Sequence, residues 1–419
     1  MAIFENWNRY PQIHNNQHLL WSNNFSFLEA KTYLPFGKGR SYGDCCLTAT
    51  GEYLIIPHLD NILDFNPQAK IITVQAGIVL KDLLEFLAPR GFFLPVVPGT
   101  KFITIGGAIA NDVHGKGHHK FGSFCNQVEA IELVNSQGKF KLAPDDPLFA
   151  ATCGGLGLTG LITSATLKLI NIPGNTIDQT LFFAQDFREA CDILLQHAPF
   201  YDFSVCWLDF WTKDIAGVAS FGNFSEERSK SSDFSLSWPF KLNVVNKVSS
   251  FVLNKLYVLA HRVKKANSNI HYSKFFFPLD NVLNWNYFYG PRGFLQWQCV
   301  LPIGAQSVFN QIVKKIKSSG ITPTLAVLKN FGSMKPVGLL SFPIEGLTLA
   351  LDFQISEELF RLLDFLDNLV VEAGGRIYPA KDARMNKNTF LKSFPKVNEF
   401  LKFKDRNFCS LFWKRVYPE

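Results

Sequence analysis

The sequence predicts a mixed α and β chain of two domains, and three observations carry that expectation. At 419 residues the chain is longer than a single hydrophobic core usually grows. Two-residue and 3.6-residue apolar periodicities succeed one another along it, so both strands and helices are called for. Glycine-rich loops crowd the N-terminal part and cease near Pro173, where the chain turns richer in aromatic and basic residues, as at a domain change.

Each element follows from its own pattern. EYLIIPHL from Glu52 and KIITVQAGI from Lys70 alternate as strands, and LKDLLEFLAPRG from Leu80 reads as a short helix stopped by Pro89 and Gly91. VEAIELVNSQGKFKLAP is a hairpin turning at Ser136 to Gly138, DPLFAATCGG a short helix and GLITSATLKLI a strand. Further on, RGFLQWQCVLP alternates as a strand and QSVFNQIVKKIKSSG is an amphipathic helix ended by Gly320. TPTLAVLKNFG and GLTLALDFQI are further strands, and SEELFRLLDFLDNLVVEAGG is a helix with Ser356 as N-cap and Gly374 at its end.

Apolar residues make up 47% and charged residues 18%, the balance of a folded globular protein. The net charge of +7 favours an anionic ligand or an acidic membrane surface. Zinc-finger spacing, RNP-like motifs and long Lys/Arg stripes are missing, so nucleic acid is not an expected partner. The eight cysteines show no C-x-x-C spacing, and adjacent Cys45 and Cys46 cannot close an ordinary disulfide, so reduced thiols and a cytoplasmic location are expected. The first residues lack the pattern of a signal peptide, which agrees. The segment VVNKVSSFVLNKLYVLAHRVKKA, residues 244 to 266, is too interrupted to span a bilayer. It suits either a packed amphipathic helix or a helix lying on a membrane surface with its cations towards headgroups.

The loops carry the chemistry. In LPFGKGRSYGD, from Leu34 to Asp44, Gly37, Gly39 and Gly43 let backbone N–H groups approach a ligand, while Lys38 and Arg40 add positive charge, a combination suited to a pyrophosphate. In PGTKFITIGGAIANDVHGKGHH, Gly106, Gly107 and Ala108 leave room for a flat cofactor, and Thr100 and Thr104 offer hydroxyls. The third loop holds G-x-G-x-x-G at Gly155, Gly157 and Gly160, but a helix precedes it and a strand follows, the reverse of a Rossmann turn. His114 and His118 are four apart, as on a zinc-binding helix; Gly115 and Gly117 argue against that helix, and no metal is expected. Nucleophile-elbow, P-loop and H-E-x-x-H motifs are missing.

Taken together, GKGRSYGD, PVVPGTKFITIGGAIANDVHGKGHHKFGSF and GGLGLTGLIT, in that order and spacing, resemble the FAD-linked oxidases of the vanillyl-alcohol oxidase type, and among them the decaprenylphosphoryl-β-D-ribose oxidases. The resemblance continues through WNYFYGPRGFLQWQCVLP, LSFPIEGLTLALDF and GGRIYPAKDAR and covers most of the chain outside roughly residues 174–270. It implies an α+β fold: a two-subdomain, PCMH-type FAD-binding domain at 1–174 completed by 376–419, with an inserted substrate domain at 175–375 built on an antiparallel sheet. It implies non-covalent FAD held by Gly37, Lys38, Gly39, Arg40, Ser41, Tyr42, Gly43, Gly99, Thr100, Thr104, Gly106, Gly107, Asn111, His114, Ile162 and Tyr378. In related aldonolactone oxidases a histidine bonded to the flavin stands where Arg40 stands here.

For the substrate, alternation in FLQWQCVL places Gln296 and Gln298 on one face, as sugar-binding amides or as the polar side of a sheet. The resemblance implies that Gln296, Gln298, Lys329 and Lys116 bind substrate and that Lys381 is catalytic, as the base for the hydroxyl proton or as the group that holds the hydroxyl. It also implies oxidation at C2 of a polyprenyl-phosphate pentose as the first half of an epimerisation. A short-chain dehydrogenase partner would complete that reaction, and the lipid-linked substrate would be met at the inner membrane surface. Departures from the family pattern are Ala350 for its cysteine, Thr348 for an asparagine, Phe276 for a pocket tyrosine and Leu411 for an acid. Two alternatives stand beside this reading: an aldonolactone or sugar-alcohol oxidase acting on a soluble substrate, and a flavin-binding protein without turnover.

Overall fold

The computed structural model describes residues 4–230, 235–263 and 267–418. Its N-terminal part builds two main sheets, beside a two-stranded pairing of Phe92–Phe93 with Ile170–Asn171. Strands β1 (His18–Leu20), β2 (Tyr33–Phe36) and β3 (Glu52–Ile55) run parallel in the order β1-β3-β2. Strands β4 (Ile62–Asn66), β5 (Ile71–Gln75), β6 (Val128–Asn135), β7 (Gly138–Leu142) and β8 (Leu161–Lys168) form an antiparallel sheet in the order β4-β5-β8-β6-β7. Helix α1 (Leu80–Leu87) buries Leu80, Leu83, Leu84 and Leu87, a single stripe at helical spacing, in one core with Ile72 and Val74 of β5. Each such leucine contributes about 1.5–3 kcal/mol through burial. Helix α2 (Ile105–Ala110) starts at Thr104, whose Oγ1 accepts from the Gly107 N–H.

The third sheet has eight antiparallel strands: β9 (Thr176–Ala184), β10 (Phe203–Asp209), β11 (Ala216–Ser225), β12 (Asn267–His271), β13 (Phe294–Pro302), β14 (Leu325–Phe331), β15 (Gly346–Gln354) and β16 (Arg376–Ile377). Their order is β12-β9-β11-β10-β14-β15-β13-β16. Helices α3 (Phe187–His197), α5 (Gln306–Ser319) and α6 (Glu357–Glu372) cover one face, and α4 (Lys247–Val263) lies between α3 and α5 in the chain. Leu295, Trp297 and Cys299 of β13 and Leu349, Leu351 and Phe353 of β15 share a core with Phe309, Ile312, Leu362 and Leu366 of the covering helices. The two-residue period of a strand therefore sends Gln296, Gln298, Thr348, Ala350 and Asp352 to the opposite face.

The helices and strands expected from periodicity are found, with Ser356 capping α6 and Gly320 left-handed after α5. Strands β9 to β12 and helix α3 lie outside the segments expected from periodicity. Strand β11 is rich in small residues, and at Gly222 a Cβ would overlap Ile177 of neighbouring β9, so tight packing rather than strand propensity sets the residue there. Within the segment at 244–266, Lys247–Val263 forms α4; residues 264–266 of its basic end lie outside the described residues.

The C-terminal segment returns along the first sheet. Tyr33 donates its N–H to the Asn407 carbonyl and accepts from the Cys409 N–H, at 2.6 and 3.1 Å. Helix α7 (Leu411–Val416) then places Arg415 on Asp44 and Asp382, at 2.7 and 3.0 Å. Leu411, where the family pattern has an acid, donates its N–H to the Leu47 carbonyl.

Candidate functional site

The three glycine-rich loops converge. A Cβ on Gly37 would stand 2.6 Å from Thr104 Oγ1, and one on Gly157 3.6 Å from Pro35. The Gly154 and Leu156 N–H groups donate to the carbonyls of Ile109 and Ala110 at the end of α2, at 3.0 and 2.7 Å. Not every glycine of these loops is open to a ligand. At Gly43 a Cβ would overlap the Asp382 carbonyl, and the Tyr42 and Gly43 N–H groups both donate to the Ala380 carbonyl, at 2.9 and 3.1 Å. Gly43 therefore serves close packing of two chain segments, and its N–H is spent within the protein. Gly106 likewise packs on Ala76, and the acceptor of Thr104 is used in the cap of α2.

What remains open lies just before. Among the described residues, no backbone carbonyl engages the N–H groups from Gly37 to Ser41, Gly39 takes a left-handed φ of 60°, and Lys38 is exposed. The Arg40 guanidinium lies 4.0 Å over the Trp7 ring, and its buried Nε has no hydrogen-bond partner. Gly99 is exposed, with nothing within 4 Å of the place its Cβ would take; Thr100 beside it accepts from the Phe102 N–H at 3.3 Å. Asn111 ties the second loop to the far end of the site: its amide donates to the Gly107 carbonyl at 2.9 Å, and its carbonyl accepts from the Tyr378 hydroxyl at 3.0 Å. Ile162, on β8, sits in the core rather than with these polar groups. Unengaged peptide donors, two cations and open space beside Gly99 fit a diphosphate-bearing cofactor such as FAD.

At the other end, Tyr378 stacks on Phe342 with ring centres 4.6 Å apart and stands 5.3 Å from the His114 ring. Gln298 donates to Thr348 Oγ1 at 3.0 Å and lies 2.8 Å from His114 Nε2. Burial and the nearby Lys329 hold His114 well below its ordinary pKa, so a neutral ring accepts from the amide. The turn Pro379–Lys381 then carries Lys381 Nζ to 3.3 Å from the centre of the Tyr42 ring, a cation–π contact when the amine is charged. Burial pushes the Lys381 amine down, against the opposing pull of Asp352.

Strand register assembles the rest. Gln296 faces Asp352, Gln298 faces Ala350, and Lys329 faces Thr348; directly opposed residues share a face. Gln296 donates to Asp352 Oδ1 at 2.5 Å, and burial raises the Asp352 carboxyl. Lys116 donates to the Phe275 carbonyl and stands 4.4 Å from that ring's centre. Gln296, Gln298, Lys329 and Lys381 thus meet on the side of the sheet turned to the His114 loop, and Lys116 joins through the loop itself. Phe276 instead packs inside an aromatic cluster with Phe93 and Phe203. Asp352 is missing from the residues the sequence singled out, and His118 stands there only as a zinc candidate set aside. The signal for Asp352 was legible, because one acid in an apolar strand shares the alternation of Thr348 and Ala350; for His118 the spacing from His114 was legible, but its packing on Phe331 is tertiary.

Comparisons with known proteins agree with this geometry. The profile of an FAD binding domain matches residues 29–142. The chain is 33% identical to decaprenylphosphoryl-β-D-ribose oxidase of Mycolicibacterium smegmatis, over 88% of this chain and 84% of that one. It is 27% identical to D-arabinono-1,4-lactone oxidase of Saccharomyces cerevisiae, over 42% of this chain and 36% of that one. A glycolate oxidase subunit of Bacillus subtilis matches at 31% over 33% of this chain and 32% of that one. With its converging loops and α+β fold, the chain belongs to the FAD-linked, PCMH-type oxidases, the family of decaprenylphosphoryl-β-D-ribose oxidase, and is an FAD-dependent oxidoreductase.

Proposed function

We propose that this chain oxidises the C2 hydroxyl of a polyprenyl-phosphate pentose, such as decaprenylphosphoryl-β-D-ribose, as the first half of an epimerisation. A partner of the short-chain dehydrogenase class then reduces the ketone. The observation that carries the reading is the meeting of Lys381, Asp352, Gln296 and Gln298 beside Tyr378 and His114, in a chain aligned over most of its length with an oxidase of such a sugar.

In this reading residues 1–174 and 376–419 hold FAD without a covalent bond, and residues 175–375 hold the substrate. Lys38, Arg40 and the free N–H groups from Gly37 to Ser41 take the diphosphate, while Gly99, Thr100, Gly107, Asn111, His114 and Tyr378 line the remainder. FAD, when bound, supplies the two-electron acceptor for the hydride that leaves C2. Gln296 and Gln298 orient the sugar, and Lys381 takes or holds the hydroxyl proton as the C–O single bond becomes a carbonyl.

A lipid-linked substrate has to be met at a membrane. Helix α4 exposes Val248, Val252, Leu253, Leu256 and Leu259, each at least 45% accessible, a face suited to the interface between headgroups and acyl chains. No helix among the described residues is long and apolar enough to cross a membrane. We place the enzyme at the cytoplasmic side of the inner membrane, in peripheral contact.

The test is anaerobic bleaching of the purified flavoprotein. A farnesylphosphoryl-β-D-ribose should reduce the bound flavin, whereas free ribose and aldonolactones should not. Reduction by lactones alone would move the chain to the soluble-substrate oxidases, and a flavin that stays oxidised with every sugar would remove the catalytic role.

A further inference from the structure

We infer that Lys116, Lys329 and His118 form a phosphate-binding subsite, distinct from the hydroxyl-oxidising end at Lys381. The inference rests on the reading of the substrate as a phosphate-linked sugar and names the groups that recognise its charged part.

Three elements bring these residues together. Lys116 lies in the second glycine loop, His118 begins the short helix that follows, and Lys329 sits on β14. Phe331 is two residues from Lys329 on the same strand face, and the His118 ring packs on it with centres 4.2 Å apart. His118 is 1% exposed, and neither ring nitrogen has a hydrogen-bond partner. The Lys116 ammonium has only a carbonyl and a ring, both of Phe275. Among the described residues, neither lysine forms an ion pair.

These features have one physical reading. Burial, and after it the neighbouring Lys329, lowers the protonation of Lys116, His114 and His118, and the two lysines, without an ion-pair partner among the described residues, have no counter-charge of their own. Asp352 raises the Lys381 amine, whereas the shifts of Lys116 and Lys329 come first from burial. Unpaired lysines shielded from water are costly to keep. Two of them beside an orphaned imidazole make a site for an anion with several acceptor oxygens, which a phosphate ester is.

The sheet also gives the spacing. The rows Gln296–Asp352, Gln298–Ala350 and Thr348–Lys329 are consecutive on one face, each about 7 Å from the next at two residues per step. A pentose over the middle row, where Ala350 leaves room, has its oxidised hydroxyl towards Lys381 and Gln296 and its anomeric phosphate towards Lys329.

Farnesyl phosphate tests the subsite without any sugar to oxidise, so the result does not depend on the proposed reaction. Binding to the holoprotein is measured by calorimetry for farnesyl phosphate, farnesol and inorganic phosphate. Farnesyl phosphate should bind at least about tenfold more tightly than farnesol, with Lys329→Met and Lys116→Met each losing about tenfold and Lys329→Arg retaining most of the affinity. Inorganic phosphate binding while farnesyl phosphate does not would keep the anion site and assign it to a free phosphate. Equal binding of farnesol and farnesyl phosphate would overturn the inference, as would methionine variants that keep their flavin spectrum and wild-type affinity.

Discussion

Lys381→Met is the substitution that bears most directly on the chemistry. Burial pushes the Lys381 amine from 10.5 down to about 7. At pH 8 a lysine with its ordinary pKa is neutral in about 0.3% of molecules, whereas one near 7 is neutral in about 90%, a gain of roughly 300-fold in available base. A positioned general base contributes about 10²–10⁴-fold, so the variant should keep its flavin while anaerobic flavin reduction by substrate slows by that factor. The wild-type rate should rise with pH through about 7 as the amine loses its proton. Asp352 raises the Lys381 pKa; Asp352→Asn removes that charge and should move the rising limb to lower pH. Stopped-flow reduction across this range reads both effects. A Lys381→Met rate within about threefold of wild type, far below a general-base effect, would refute the assignment of the base, and so would a limb that moves to higher pH in Asp352→Asn.

Other outcomes follow from the packing of the loops. Gly43→Ala should abolish stable folding, since its Cβ overlaps the Asp382 carbonyl, while Gly99→Ala, with open space around it, should leave the melting temperature of the apoprotein unchanged and lower flavin retention. Arg415→Ala strands the buried carboxylates of Asp44 and Asp382 and should cost about 3–5 kcal/mol in denaturant unfolding. Acid precipitation should leave FAD in the supernatant, because Arg40, unlike a histidine at that place, forms no bond to the flavin. Turnover should survive a cysteine-directed inhibitor aimed at the strand position of Ala350, and Ala350→Cys, placed opposite Gln298, should confer sensitivity measurable as irreversible loss of flavin reduction.

Local order decided how much of this was legible in the sequence. The face of Gln296 and Gln298 could be read because strand alternation is a property of neighbouring residues. The helices α5 and α6 could be read for the same reason, their caps and stripes lying within one continuous stretch. The glycine loops announced a cofactor through composition alone, with too little side chain and too much charge for an ordinary turn. What they could not announce was which N–H groups stay free: Gly37 to Ser41 and Gly43 look alike in sequence, and only the returning segment at Ala380 and Asp382 consumes one set and leaves the other. Likewise His118 and Lys329 are more than 200 residues apart in the chain, and nothing local to either shows that they meet. Their shared surroundings depend on which strands pair, and strand order is set by burial summed over the whole sheet, a quantity that no short window of sequence contains.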